Sequence, residues 1–181
     1  AFHPKFVSNG LFYLNYTTNS GGYIHNRVSR FTAVGDTANP ASEVVIFEGE
    51  DLGNQDMHFG GDINIGPDNR LYISTGDNTT SEVRFVSADD PSQPLTLISP
   101  RKRNREYHVD AAHGKLWIHT NDDHVNFRLA EADVASPGEW RTVIAGSDRV
   151  YLTGLASYRD HLAISSRVDG LDQLVLRTYA G

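Results

Sequence analysis

At 181 residues the chain fits one ordinary domain, and its formal net charge of -7 disfavours generic binding to nucleic acid. It contains no cysteine, which excludes disulfides, thiol chemistry and cysteine-ligated metal sites. No apolar run is long enough to span a membrane, and the opening Ala1-Phe2-His3-Pro4-Lys5 lacks the basic-then-apolar pattern of a signal peptide, so the expectation is a soluble chain of undefined compartment.

Short Val/Ile/Leu/aromatic runs alternate with Gly, Asn, Asp and Pro clusters, and no window sustains a helical period, so the chain reads as strands with helix confined to short turns. In chain order, a turn followed by an apolar strand occurs at Asn9-Gly10 before Leu11 to Leu14, and at Asp68-Asn69-Arg70 before Leu71 to Ile73. The pattern returns at His113-Gly114-Lys115 before Leu116 to Ile118, and at Arg159-Asp160-His161 before Leu162 to Ile164. The last two intervals are about 45 residues, the spacing of a four-stranded propeller blade. The first is longer, with the excess assigned to Thr18 to Asn26 and to the acidic stretch Glu48 to Asp56.

Each unit continues with a third strand, at Val28 to Phe31, Val83 to Val86, Phe127 to Ala130 and Leu174 to Arg177. Fourth strands follow at Val44 to Phe47, Leu95 to Ile98 and Trp140 to Ile144, and inner strands are expected at Gly61 to Ile65, Tyr107 to Val109 and Tyr151 to Leu155. The expected fold class is therefore all-β: a β-propeller of four-stranded antiparallel blades, about four units per chain, the last lacking its outer strand. The alternative is an irregular β-sandwich. Charge changes along the chain as well: residues 1–90 carry 5 basic and 12 acidic side chains, and the remainder carry 11 of each. That asymmetry suggests a seam in mid-chain.

Two resemblances meet near that seam. Gly10-Leu11-Phe12-Tyr13-Leu14-Asn15-Tyr16, His58-Phe59-Gly60-Gly61 and Leu71-Tyr72-Ile73-Ser74-Thr75-Gly76-Asp77 resemble the PQQ-dependent sugar (glucose/sorbosone) dehydrogenase family, a six-bladed propeller that binds PQQ and calcium. Carried over, His58 is that family's general base and Asp77 lies near the sugar; the basic residues that clamp the cofactor there belong to later blades. From Thr80-Ser81-Glu82-Val83-Arg84-Phe85-Val86 onward, through Leu116-Trp117-Ile118-His119-Thr120-Asn121 to Ser165-Ser166-Arg167-Val168-Asp169-Gly170-Leu171, the chain resembles the propeller of the prolyl oligopeptidase family, oligopeptidase B type. In that family a seven-bladed propeller lids a separate α/β-hydrolase domain that carries the nucleophile. No G-x-S-x-G elbow occurs in this sequence.

These readings imply a chimera of residues 1–78 and 79–181, two blades from each parent, acting as an engineered or recombined scaffold with no enzymatic activity of its own. No catalytic, cofactor-binding or metal residues are expected. One alternative keeps a PQQ- and calcium-dependent site at His58 and Asp77; a second is a peptide- or sugar-binding module. Closing four blades alone demands about 90° at each contact, whereas two copies need about 45°, so a homodimer completing an eight-bladed ring is expected. His119 and His124 around Asp122-Asp123 read as a hairpin tip rather than a metal site. Arg101-Lys102-Arg103-Asn104-Arg105 reads as a solvated loop between blades rather than a nucleic-acid patch. The sequons Asn15-Tyr16-Thr17 and Asn78-Thr79-Thr80 are discounted.

Overall fold

A computed structural model describes residues 1–51, 61–76 and 79–179. Among these the regular structure is almost entirely antiparallel sheet, with one four-residue helix, α1 (Phe6–Asn9), and one 3-10 turn over Ser20–Gly22. The chain divides into two compact units, the first made of Ala1–Ile65, Asn69–Thr75 and Arg84–Thr96, the second of Gly66–Asp68, Gly76–Val83 and Leu97–Gly181.

In the first unit α1 stops at Gly10, whose φ of 65° is the left-handed cap that lets its N–H reach back to Phe6 O. A side chain there would be strained by that φ and would also crowd Ala33 O. Sheet 1 then runs in the order β1 (Leu11–Thr18), β2 (His25–Val34), β3 (Thr37–Glu48). Strand β3 begins well before the expected Val44. It absorbs Pro40 because it is an edge strand, where a missing N–H costs no ladder bond, and it meets β2 through two register shifts. In place of a full inner strand, residues 1–3 lie along β1: Tyr13 N–H donates to Ala1 O at 2.8 Å, His3 N–H donates to Leu11 O at 3.0 Å, and Phe2 bridges Phe12.

Sheet 2 has the order β4 (Gly61–Ile65), β5 (Arg70–Gly76), β6 (Ser81–Ser87), β7 (Thr96–Ser99). Alternation along β1, β2, β5 and β6 brings Tyr13, Val28, Leu71, Ile73 and Val86 into one buried cluster, the core of the first unit. The Tyr13 hydroxyl, buried with its ring, donates to Ala88 O at 2.9 Å.

The second unit contains sheet 3, in the order β11 (Arg141–Ile144), β10 (Arg128–Asp133), β9 (Lys115–Thr120), β8 (Tyr107–Ala112). Sheet 4 has three strands among the described residues, β12 (Val150–Ser157), β13 (His161–Val168) and β14 (Leu171–Thr178), with no outer strand beyond β14. Two tight hairpin turns use paired left-handed residues, His113-Gly114 and Asp169-Gly170, the conformation that follows the twist of the flanking strands.

The register of sheet 3 sets His108 opposite His119 and His119 opposite Leu129, with Trp117 and Ala112 on the same face. That face packs on Leu152, Leu162 and Ile164 of sheet 4 and forms the core of the second unit. Each fully buried aliphatic side chain there contributes about 1.5–3 kcal/mol. On β14, by contrast, Leu174 and Leu176 remain 66% and 63% exposed.

Candidate functional site

The two residues carried over from the sugar dehydrogenase resemblance, His58 and Asp77, lie outside the described residues. The remaining sequence candidates are placed clearly. His119 and His124 are each engaged by other partners. The His119 Nε2–H donates to Leu152 O at 2.9 Å, while His124 accepts from Asn126 N–H through Nδ1 and directs Nε2 at Asp148 Oδ1, 3.2 Å away. Asp122 is occupied by Arg128, which donates to both its oxygens at 2.7 and 2.9 Å. Among the described residues no group of three or more histidine or carboxylate side chains is arranged to hold a metal ion.

The basic run 101–105 divides in two. Arg101, Lys102, Arg103 and Asn104 are exposed, as a loop between sheets requires, but Arg105 is 6% exposed. Asn104 turns the chain with φ 59°, and Arg105 then points inward. Its guanidinium donates to Ser99 Oγ and Pro100 O and lies over the rings of Tyr107 and Trp140, at 5.3 and 5.2 Å from their centroids. Sequence reasoning missed this residue because a run of like charges reads as solvated. The signal was the aromatic two residues on, at Tyr107.

The richest cluster of the second unit lies where β9 ends and β12 begins. Here the His119 ring stacks on Phe127 at 4.4 Å and 19°, and Phe127 in turn reaches Tyr151 at 6.1 Å. Phe127 has φ 63°, a left-handed backbone that a bulky side chain rarely adopts. The approach to it is fixed by three bonds: Phe127 N–H donates to His124 O, Asn126 Nδ2 donates to Ser147 O, and Leu152 N–H donates to Asn126 O.

Burial depresses the affinity of His119 for a proton, and the facing His108 acts in the same direction against the partial relief from the Leu152 carbonyl. Arg128 is held above its ordinary value chiefly by the hydrogen bonds to Asp122, a charge-assisted, two-pronged pair. The cluster is thus an aromatic group tied to β12 through the His119 bond to Leu152 O, while the Arg128–Asp122 pair lies on the opposite face of sheet 3. It has the geometry of a fastening between two sheets and no residue in it is placed to attack a carbonyl.

A family model for the prolyl oligopeptidase N-terminal β-propeller domain matches residues 7–181. Among curated proteins, Protease 2 of Moraxella lacunata is 29% identical over 104 residues, covering 58% of this chain and 15% of its own. Dipeptidyl aminopeptidase BI of Pseudoxanthomonas mexicana is 29% identical over 139 residues, covering 75% of this chain and 18% of its own. Oligopeptidase B from Leishmania major superposes with a TM-score of 0.79 at 20% identity, over 98% of this chain and 24% of that one. Oligopeptidase B from Trypanosoma brucei gives a TM-score of 0.75 at 20% identity, over 94% and 23%. The chain therefore spans less than a fifth of these curated relatives, and its sheets are blades of a β-propeller.

Three expectations are corrected by these matches. The family match begins at residue 7 and crosses residues 78 and 79 without a break, which removes the ground for two ancestries: the first half belongs to the same propeller as the second. With the chimera goes the engineered or recombined scaffold free of any enzyme, since the chain falls within a domain of natural peptidases. The eight-bladed homodimer also falls. In the superposed structures the matched region is about a quarter of one longer chain, which leaves no ground for four blades that need a second copy to close a ring. The membrane question has a narrower answer: no helix among the described residues is long and apolar enough to cross a bilayer.

Proposed function

The chain belongs to the prolyl oligopeptidase N-terminal β-propeller family, and from that premise we propose that it serves a serine peptidase as part of the lid over a separate hydrolase domain. The observation that carries this reading is the unbroken family match over residues 7–181. The absence of a G-x-S-x-G elbow from the sequence agrees with it, because the nucleophile then lies elsewhere in a longer polypeptide. The relatives named as proteases and an aminopeptidase supply the reaction class, peptide-bond hydrolysis. The contribution of this chain is steric: packed sheets restrict what reaches the nucleophile, and the hydrolytic chemistry happens outside it.

A serine-directed fluorophosphonate probe tests the assignment on the full-length polypeptide. Label is expected on a serine outside residues 1–181, together with hydrolysis of short peptide substrates. A labelled serine within residues 1–181, or full-length protein that neither labels nor hydrolyses peptides, defeats the reading.

A further inference from the structure

The lid reading leaves one surface of the second unit without a role, the arc of cations that precedes β8. We propose that Arg101, Lys102 and Arg103 form a recruiting site for acidic peptides, an inference that rests on the peptidase reading above: of two substrates with the same cleavage sequence, the one with a carboxylate-bearing tail is captured faster. All three side chains are exposed. Among the described residues none of them is paired with a carboxylate. Glu106, the carboxylate that follows in sequence, instead accepts from Asn121 Nδ2 at 3.4 Å. Three like charges in succession repel one another, and folding alone gains nothing from holding them together.

A solvated loop needs no internal scaffold, yet this one has one. The Arg105 guanidinium donates to Ser99 Oγ at 3.0 Å and to Pro100 O, where the chain leaves β7. Arg105 N–H donates to Lys102 O at 3.1 Å, which closes the turn, and Ser81 N–H donates to Arg105 O at 3.2 Å. Asn104 supplies the reversal with its φ of 59°. Entry and exit of the loop are thus tied to one buried arginine, and the three exposed cations stand on the arc between them. Fixing the arc in advance reduces the ordering that a ligand must impose when it binds.

The chemistry of the arc selects carboxylates on a short chain. Each guanidinium can fork a carboxylate through two N–H donors, and the ammonium of Lys102 adds a point charge. Three residues span at most about 10 Å, the length of a three-residue extended run in a bound peptide. A long polyanion fits worse, because the chain as a whole carries a net charge of -7 and repels it beyond this arc. Exposed pairs are individually weak, so the three cations act together on encounter rate and in a salt-sensitive way.

Hydrolysis by the full-length polypeptide reads the site. Two fluorogenic peptides share a sequence that the protein cleaves and differ only in a tail, three glutamates in one and three glutamines in the other. At about 10 mM salt, where charges act over about 30 Å, kcat/KM for the acidic tail should exceed that for the neutral tail about three- to tenfold. Near about 1 M salt, where they act over about 3 Å, the two should converge. Arg101→Ser, Lys102→Ser and Arg103→Ser together should bring the low-salt ratio to about one while leaving kcat/KM for the neutral tail and the urea midpoint unchanged. A low-salt ratio that survives the triple substitution overturns the proposal, and so does an equal loss on both peptides, which assigns the cations to the fold. Fluorescence anisotropy of the acidic peptide separates this outcome from the peptidase reading. Binding that the triple substitution abolishes keeps the recruiting site even in a protein that cleaves neither peptide, and binding that it leaves intact removes the site. An oligonucleotide of equal charge that binds more tightly than the peptide assigns the arc to polyanions and overturns the peptide assignment.

Discussion

The two units fasten a buried tyrosine in different ways. In the first, Tyr13 lies among aliphatic side chains and its hydroxyl makes one bond, to Ala88 O. In the second, the Tyr107 hydroxyl accepts from Val83 N–H at 2.8 Å and donates to Ser99 O at 2.7 Å, while Arg105 lies across the ring. Burial raises both phenols above their ordinary value, and for Tyr107 the bonds to Val83 and Ser99 work against that rise. The difference is one of consequence. Tyr13 is mainly a ring that happens to satisfy a carbonyl, whereas Tyr107 is a junction on which a donor, an acceptor and a cation all depend.

Core truncation should be the largest effect and should not distinguish the units. Leu71 in the first and Leu162 in the second are 0% and 1% exposed and belong to their units' central clusters. Leu71→Ala and Leu162→Ala should each cost about 2–5 kcal/mol in urea unfolding. A cost below about 1 kcal/mol at either position means that its cluster is not the core described above.

The tyrosines then separate the two units. Tyr107→Phe leaves Val83 N–H and Ser99 O both without their partner, so it should cost about 2–4 kcal/mol, while Tyr13→Phe strands one carbonyl and should cost about 1 kcal/mol. Equal losses would erase the contrast. Arg105→Met, which keeps much of the packing over Tyr107 and Trp140 but not the charge, sharpens it: a loss at Arg105→Met that shrinks in a Tyr107→Leu background, where the ring itself is gone, shows that ring and guanidinium act as one unit.

How far the sequence foretold this depends on whether the determining chemistry was local. The strands β1, β5, β9 and β13 were legible because each is announced by a turn residue followed by an apolar run, whereas the early start of β3 at Thr37 was not. Gly10, Asn69 and His113-Gly114 adopt the left-handed turns that the residues promised. The inner strands at Gly61–Ile65, Tyr107–Ala112 and Val150–Ser157 fall where alternation placed them. The pairing of residues 1–3 with β1 was invisible, since three residues carry no period. The inward turn of Arg105 was hidden by its charged neighbours, and nothing in the word Asn126-Phe127-Arg128 signals a left-handed phenylalanine.

The mistaken double ancestry has a physical cause as well. A stretch such as Leu71-Tyr72-Ile73-Ser74-Thr75-Gly76 is a buried strand that exits toward a turn, with Leu71, Tyr72 and Ile73 all buried. Any propeller blade needs such a strand, so its wording follows from packing and distinguishes families poorly. Of the candidate site, the histidine His119 was legible as a residue but its role was not, because the stacking partner comes from a loop and the acceptor from another sheet.

Titration at high pH tests the raised phenols in both units together. A phenol that resists ionisation in the folded chain gives stability that is fully present below the ordinary tyrosine value, about 10, and is lost as pH rises through the folded value. Unfolding midpoints should therefore fall above about pH 10. The fall should be smaller in Tyr13→Phe and in Tyr107→Phe, each of which removes one of the two resisting groups. A slope untouched by both substitutions would assign the alkaline loss to other groups.

The smallest effect is expected on the exposed edge of sheet 4, at the pair Arg167 and Asp172. Arg167 Nε donates to Asp172 Oδ1 at 2.8 Å, and the bond to Arg167 holds the carboxyl below its ordinary range. Short distance alone does not make this pair matter. Both side chains are more than half exposed, water competes for each, and holding two long side chains in register costs rotamer freedom. The pair of the same chemistry at Arg128 and Asp122 is different, because Arg128 is nearly buried and donates through two nitrogens as well as to Thr142 Oγ1 at 2.7 Å. Asp172→Asn should leave the unfolding midpoint where it was, at low and at high salt alike. Asp122→Asn, which leaves a buried guanidinium short of its anion, should lower it measurably. Equal responses from the two substitutions would mean that burial is not what separates these ion pairs, and would undercut the reading of Arg128–Asp122 as a stabilising buried pair.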